Sequence, residues 1–286
     1  MKALREVESY YDRNTQAFAS FGQGGNAIHR AVWGDGVQTR AEAFHYVDRV
    51  LLREIERLAE RALEPMQVLD LGCGVGSSLF YLASQAAAFQ GTGVTLSGVQ
   101  ARWAQAACEQ AGLAERLKFI QGNFLELPST IPRAHLAFSI EAFVHSPDPG
   151  EFFAAAARYL AADGLLVICD DFLTTHGASN DLSSRQRRHL EEVRTGWLAN
   201  SLVSVAAACS IAAEHGFRLV MNQDLTSDLE LRRPRDRVLS LLVELGRPFR
   251  IPGYRWRSWV GGNALQLALE GGLLEYRLLS WQKLAG

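Results

Sequence analysis

The run Val68-Leu69-Asp70-Leu71-Gly72-Cys73-Gly74-Val75-Gly76 decides the fold. The apolar stretch Met66–Leu71 reads as a strand buried on both faces. It enters a glycine-rich turn directly, and a helix follows to about Ala87. Glycines two apart permit a tight turn and let a ligand approach the backbone closely. The spacing is GxGxG, whereas a dinucleotide fold has GxGxxG with pyrophosphate on the helix N-terminus. Asp70 stands just before the turn, where a carboxylate would repel pyrophosphate. It suits a cofactor that carries an ammonium group.

Strand and helix alternate onward from this turn. Strands are expected at GTGVTL (ending near Thr95), LKFIQG, AHLAFSI and GLLVICD, with helices over Gly98–Gly112 and Glu151–Leu160. Such alternation implies a mostly parallel sheet with helices on both faces. Past Asp171 the rhythm breaks into a helical insertion near 176–215. A strand at Phe217–Gln223, a helix at Leu229–Leu245 and a last strand at Leu273–Gln282 complete a seven-stranded α/β sheet. Towards the N-terminus, residues 1–20 read as a helix, and Gly22 to Gly25 make a hinge. A helix over 41–62 follows, with Phe44, Val47, Leu51, Leu52, Ile55 and Leu58 on one face. Residues 1–62 then form a cap and 63–286 the catalytic domain.

Composition narrows the class of partner. The 286 residues carry 29 basic and 31 acidic side chains, and 48% are hydrophobic. A net charge of −2 gives no basic footprint for nucleic acid and no polybasic patch for a membrane, so neither is expected as a partner. No apolar run approaches the ~18 residues that cross a bilayer, and charge comes too early in MKALREVESYY for a signal peptide. Cys73, Cys108, Cys169 and Cys209 fit neither zinc spacing nor a disulfide framework. The expectation is a cytoplasmic protein with reduced cysteines, no metal, and a small-molecule substrate. Seven of its 27 aromatic residues fall within the first 50 positions, ahead of the cofactor turn.

Over roughly residues 60–175 the sequence resembles the class I methyltransferases that use S-adenosyl-L-methionine (SAM). The resemblance implies that Asp70 and the backbone of Gly72, Gly74 and Gly76 hold the amino-acid end of SAM. Thr95 stands where the family usually has an acid for the ribose, in GVTLSGVQ. This looks like a subgroup in which Gln100 takes over near the ribose. Asn123 can accept from the adenine amino group, and Phe124 either covers the ring or packs in the core. Glu141 and His145, after the fourth strand, are placed to face the reacting methyl group as bases or orienting groups. Asp170 and Asp171 are weaker candidates at the end of the fifth strand.

The N-terminal segment is more distinctive. Tyr10-Tyr11-Asp12, Phe21-Gly22-Gln23-Gly24-Gly25 and Ile28-His29-Arg30-Ala31-Val32-Trp33-Gly34 look like the enzymes that methylate carbon on prenyl chains. That likeness implies attack of an alkene on the sulfonium methyl, leaving a carbocation that aromatic faces stabilise and from which water must be kept. Tyr11 joins Glu141 and His145 as a catalytic candidate, and Tyr10, Phe18, Phe21 and Trp33 are substrate-binding candidates. The expected acceptor is a hydrophobic prenylated compound, such as a geranyl chain on an indole alkaloid. A free prenyl diphosphate, held by His29 and Arg30, is an alternative, and these two residues also suit a salt bridge to the core. An N- or O-methyltransferase with His145 as base is another alternative. A homo-oligomer is expected, with an N-terminal arm free to swap between subunits.

Overall fold

The strands of the sheet are β1 (Met66–Leu71), β2 (Phe89–Thr95), β3 (Leu117–Gln121), β4 (Ala134–Ile140), β5 (Leu160–Leu173), β6 (Phe217–Asp224) and β7 (Leu274–Lys283). They lie in the order β3-β2-β1-β4-β5-β7-β6 in a computed structural model. It describes residues 6–9, 11–12, 29–60, 65–86, 89–231, 233–249, 251 and 253–285. The first five strands pair in parallel, and β7 runs antiparallel between β5 and β6. This is the class I methyltransferase arrangement expected from the sequence.

Successive residues of β1 bury opposite faces, as a two-period strand must. Val68 joins one core with Leu51, Leu79 and Phe138, while Leu69 and Leu71 join another with Phe143, Phe152 and Phe153. Helix α2 (Tyr46–Ala59) supplies Val47, Leu51 and Ile55 to the first layer. Helix α5 (Pro149–Tyr159) covers the second, with Asp148 as N-cap and Pro149 in the first turn. Because β1 lies between β2 and β4, the winding reverses there, and a cleft opens beyond the carboxyl ends of these strands.

Several boundaries differ from the sequence reading. The helix expected over 41–62 breaks at His45 into α1 (Arg40–Phe44) and α2. Thr39 and Glu42 form a capping box on α1, and His45 Nδ1 lies 2.7 Å from the buried Asp48. Residues 6–9 and 11–12 are helical, while the rest of the expected N-terminal helix and the Gly22–Gly25 hinge lie outside the described residues. The insertion near 176–215 holds α6 (Ser184–Gly196) and α7 (Val205–Glu214). Helix α8 (Pro234–Gly246) starts later than expected, because Leu229 is engaged in a bridge to Val32 and Pro234 sits at the first helical turn. Helix α9 (Tyr254–Glu270) escaped the sequence reading, which its Gly261-Gly262 pair disguised. There Gly261 is needed for contact: a Cβ on it would lie 2.6 Å from the Gly196 backbone of α6.

Candidate active site

A cavity of about 150 Å³ occupies the cleft. Asp70 and the glycine turn form its floor, Thr95 and Gln100 one side, and Glu141, His145 and Trp197 another. Helix α3 (Ser77–Gln85) begins at this turn and α4 (Gly98–Gln110) just beyond β2. Gly72 sits at φ +114, and a Cβ there would lie 2.3 Å from that of Ala142. Its N–H and that of Cys73 both donate to the Val94 carbonyl, at 2.9 and 2.8 Å. The turn is thus pinned to β2, with only glycine compatible at its head.

Asp70 is 3% exposed, and burial pushes its carboxyl well above the usual range, with Asp48 adding to the shift. No described side chain within ion-pair distance offsets its charge. A buried acid opening on a cavity in this way calls for a cationic occupant. Thr95 donates its hydroxyl to Gln100 Oε1 at 2.7 Å, which leaves the Gln100 amide NH2 for a bound group. Phe124 lines the same cavity and also packs edge-on against Phe152, so one ring serves wall and core.

Glu141 follows β4 at φ +51, a conformation that residues other than glycine seldom adopt. Its Oε1 accepts three hydrogen bonds: from the Arg30 N–H at 2.9 Å, Arg30 Nε at 3.0 Å and the Tyr276 hydroxyl at 2.9 Å. Arg30 completes its fork on Asp171, at 2.9 and 2.7 Å, and its guanidinium lies 4.2 Å from the Tyr276 ring centroid. Burial raises the Glu141 pKa, but the Arg30 charge and hydrogen bonds outweigh it and hold the carboxyl below its usual range. An ionised carboxylate with one oxygen saturated keeps the other for the cavity it lines.

His145 donates from Nδ1 to the Leu198 carbonyl at 3.1 Å, so its Nε2 lone pair accepts the Tyr11 hydroxyl proton at 2.8 Å. Burial lowers its pKa and keeps the ring neutral. Tyr11 and Val7 sit one turn apart on the N-terminal helical stretch and face the cavity. Glu8 and Asp12, on the neighbouring face, bind Gln121 and the N-terminus of α4. Asp12 Oδ1 accepts from the Ser97 hydroxyl at 2.5 Å and from the Val99 N–H at 3.4 Å. The stretch lies across the cofactor cleft as a cover.

The cavity wall therefore holds Asp70, Gly72, Gly74, Thr95, Gln100, Phe124, Glu141, His145 and Tyr11. Three candidates lie elsewhere. Gly76 serves packing, since a Cβ would meet the Phe119 ring at 2.5 Å. Asn123 commits Oδ1 to the Leu125 N–H at 3.0 Å in its own turn. Trp33 packs with Ala31 and Phe44, and its backbone N–H donates to the Asp228 carbonyl at 2.7 Å. Tyr10, Phe18 and Phe21 lie outside the described residues. Arg30 takes the salt-bridge alternative. Asp170 is structural, accepting the Val144 and Asp171 N–H groups at 3.0 and 2.8 Å. Trp197 was missed, since nothing in the polar run before it signals a return to the cleft.

A family model described as a methyltransferase domain matches residues 43–222. The chain belongs to that methyltransferase family. Its cofactor is S-adenosyl-L-methionine, and the residues present fit it: the glycine cradle, the buried Asp70 for the ammonium group, and Thr95 with Gln100 for the ribose. Over 239 residues the chain is 27% identical to the sterol 24-C-methyltransferase ERG6B of Gibberella zeae, covering 79% of this chain and 60% of that relative. The chain thus spans less than two thirds of that enzyme's length. The cyclopropane synthase MmaA2 from Mycobacterium tuberculosis shares the fold at a TM-score of 0.76 and 20% identity, covering 98% of each chain. So does geranyl diphosphate C-methyltransferase from Streptomyces coelicolor, at 0.64 and 14%, covering 99% of each. That structure holds magnesium, geranyl diphosphate and S-adenosyl-L-homocysteine.

Proposed function

We propose that this methyltransferase transfers the methyl group to an alkene carbon of a neutral, apolar acceptor bearing a prenyl chain, of the geranyl-on-indole type. The observation that carries this reading is the Glu141 carboxylate, which lines the cavity and is held through one oxygen by Arg30 and Tyr276. Bound SAM supplies an electrophilic methyl group. Attack by an alkene leaves a carbocation, which a fixed carboxylate stabilises and then deprotonates. Phe124 and Trp197 offer aromatic faces, each contributing about 0.5–2 kcal/mol to a nearby cation. The cover made by Tyr11 and Val7 keeps water from it. Similarity to a sterol C-methyltransferase supports carbon as the site of methylation.

The described wall offers two imidazoles, His29 and His145, against two carboxylates, Asp70 and Glu141. That balance favours a neutral acceptor over a diphosphate. We read residues 1–62 as a cap on a catalytic unit over 63–286, with 176–215 inserted beside the acceptor. The chain with SAM and a geranylated aromatic acceptor should release S-adenosylhomocysteine and a product one methylene heavier. Turnover of oxygen or nitrogen nucleophiles alone would overturn the reading. An N- or O-methyltransferase would use His145 as base, yet its Nε2 lone pair is already occupied by Tyr11. In that case His145→Ala would damage turnover more than Glu141→Gln.

A further inference from the structure

The last third of the chain carries an apolar surface that the active site does not use. On α8, Val238, Leu241, Leu242 and Leu245 are 59%, 60%, 48% and 62% exposed, and their spacing puts them on one helical stripe. Phe249 and Trp259, 78% and 43% exposed, are further exposed apolar side chains in the stretch that follows the helix. The opposite side of α8 holds it in place: Val243 is buried, and a Cβ on Gly246 would lie 2.2 Å from the Trp256 ring. Residues 232–259 contain eight arginines against two acids, Asp236 and Glu244, in a chain of net charge −2. The chain-wide balance conceals this concentration. Ion pairs tie Arg247 to Glu192 and Glu244, Arg233 to Glu230 and Asp236, and Arg235 to Asp236; in the sequence the arginines still outnumber these four acids.

We propose that this face docks on an anionic lipid surface, with the α8 stripe in the headgroup layer and the arginines on lipid phosphates. Helix α8 is itself neutral, with Arg235 and Arg237 against Asp236 and Glu244; an amphipathic helix with a leucine stripe, flanked in sequence by further arginines and aromatics, fits that surface. A second copy fits less well, because a two-fold interface would set two arginine-rich faces against each other. Among the described residues no helix is long and apolar enough to cross a membrane, so the contact is peripheral. The docking stands apart from the methylation chemistry. Only its purpose, drawing an apolar acceptor from the lipid, rests on the function proposed above.

The test is flotation of the full chain with vesicles of phosphatidylcholine alone or mixed with phosphatidylglycerol, at low and high salt. The chain should float with the mixed vesicles only, and salt should weaken the binding. Arg235→Glu with Arg237→Glu should weaken it about thirtyfold or more, and Leu241→Asp with Leu245→Asp should abolish it. SAM affinity should be unchanged in both variants, which shows that they fold. In the unmodified chain, brominated phosphatidylglycerol should quench tryptophan emission. Failure to float with either vesicle, undiminished flotation of the leucine variant, or absent quenching would overturn the proposal. So would dimerisation in solution that the leucine substitutions abolish while no flotation is seen.

Discussion

Arg30 donates both its backbone N–H and its Nε–H to the same oxygen of Glu141, at 2.9 and 3.0 Å. The backbone bond fixes where the N-terminal chain must lie, and the side-chain bond fixes the carboxylate. Since Arg30 also clamps Asp171, one residue joins the N-terminal segment to the ends of β4 and β5.

Arg30→Met should leave two buried carboxylates without their cation and cost about 3–5 kcal/mol near neutral pH. The sign of the Glu141 contribution to the pH dependence should also reverse, whereas the Asp171 pKa, raised by burial even beside Arg30, should only be raised further. In the parent, Glu141 has a lowered pKa, so its stabilisation is present above the ordinary carboxylate range and lost as pH falls through the lowered value. Without Arg30, burial raises that pKa, and stability is lost as pH rises through it. Urea unfolding at neutral and mildly acid pH should show the variant recovering part of its deficit in acid.

Asp70→Asn should raise the dissociation constant for SAM about ten- to a hundredfold while leaving the fold intact, because it removes the charge that meets the ammonium group. In the cofactor-free chain, burial raises the Asp70 pKa, so affinity should fall as pH drops through that raised value. Binding below it should release a proton. Titration calorimetry in buffers of different ionisation enthalpy measures both. An Asn variant with unchanged affinity would remove Asp70 from the cofactor site.

The sheet was legible because β1, β3 and β4 are short, largely apolar runs, and a buried parallel strand leaves few other readings. The cavity floor was legible for the same reason: Asp70, Gly72 and Thr95 all sit at strand ends. Arg30 and Trp197 depend on tertiary contact. Arg30 reaches Glu141 across 111 residues, and Trp197 follows a helix set by close packing of Gly196 on Gly261. An aromatic residue near a cleft and one in a side cluster look alike in sequence, and for Trp33 it is the packing against Ala31 and Phe44 that places the ring.

Asp12→Ala should loosen the cover without touching the cleft itself. The Asp12 carboxylate binds the Ser97 hydroxyl and the Val99 N–H at the start of α4, where the helix dipole favours an anion. Its loss should cost a few tenths to about 1 kcal/mol of docking. Hydrogen exchange over residues 6–12 should quicken, and KM for SAM should rise more than kcat falls. If exchange there is unaltered, the contact does not hold the cover.

Gly72→Ala tests the turn itself. The new methyl group would lie 2.3 Å from the Ala142 Cβ, and alanine at φ +114 is strained whatever space is made. The two effects predict a loss of about 2–5 kcal/mol. Adding Ala142→Gly relieves only the clash, so the double variant should regain part of the stability and stay below the parent. Because Ala142 adjoins Glu141, that second change should also lower turnover by freeing a carboxylate now held at φ +51. Thermal unfolding and single-turnover methyl transfer on the four chains separate strain from clash. Full recovery of stability in the double variant would show that strain contributes nothing.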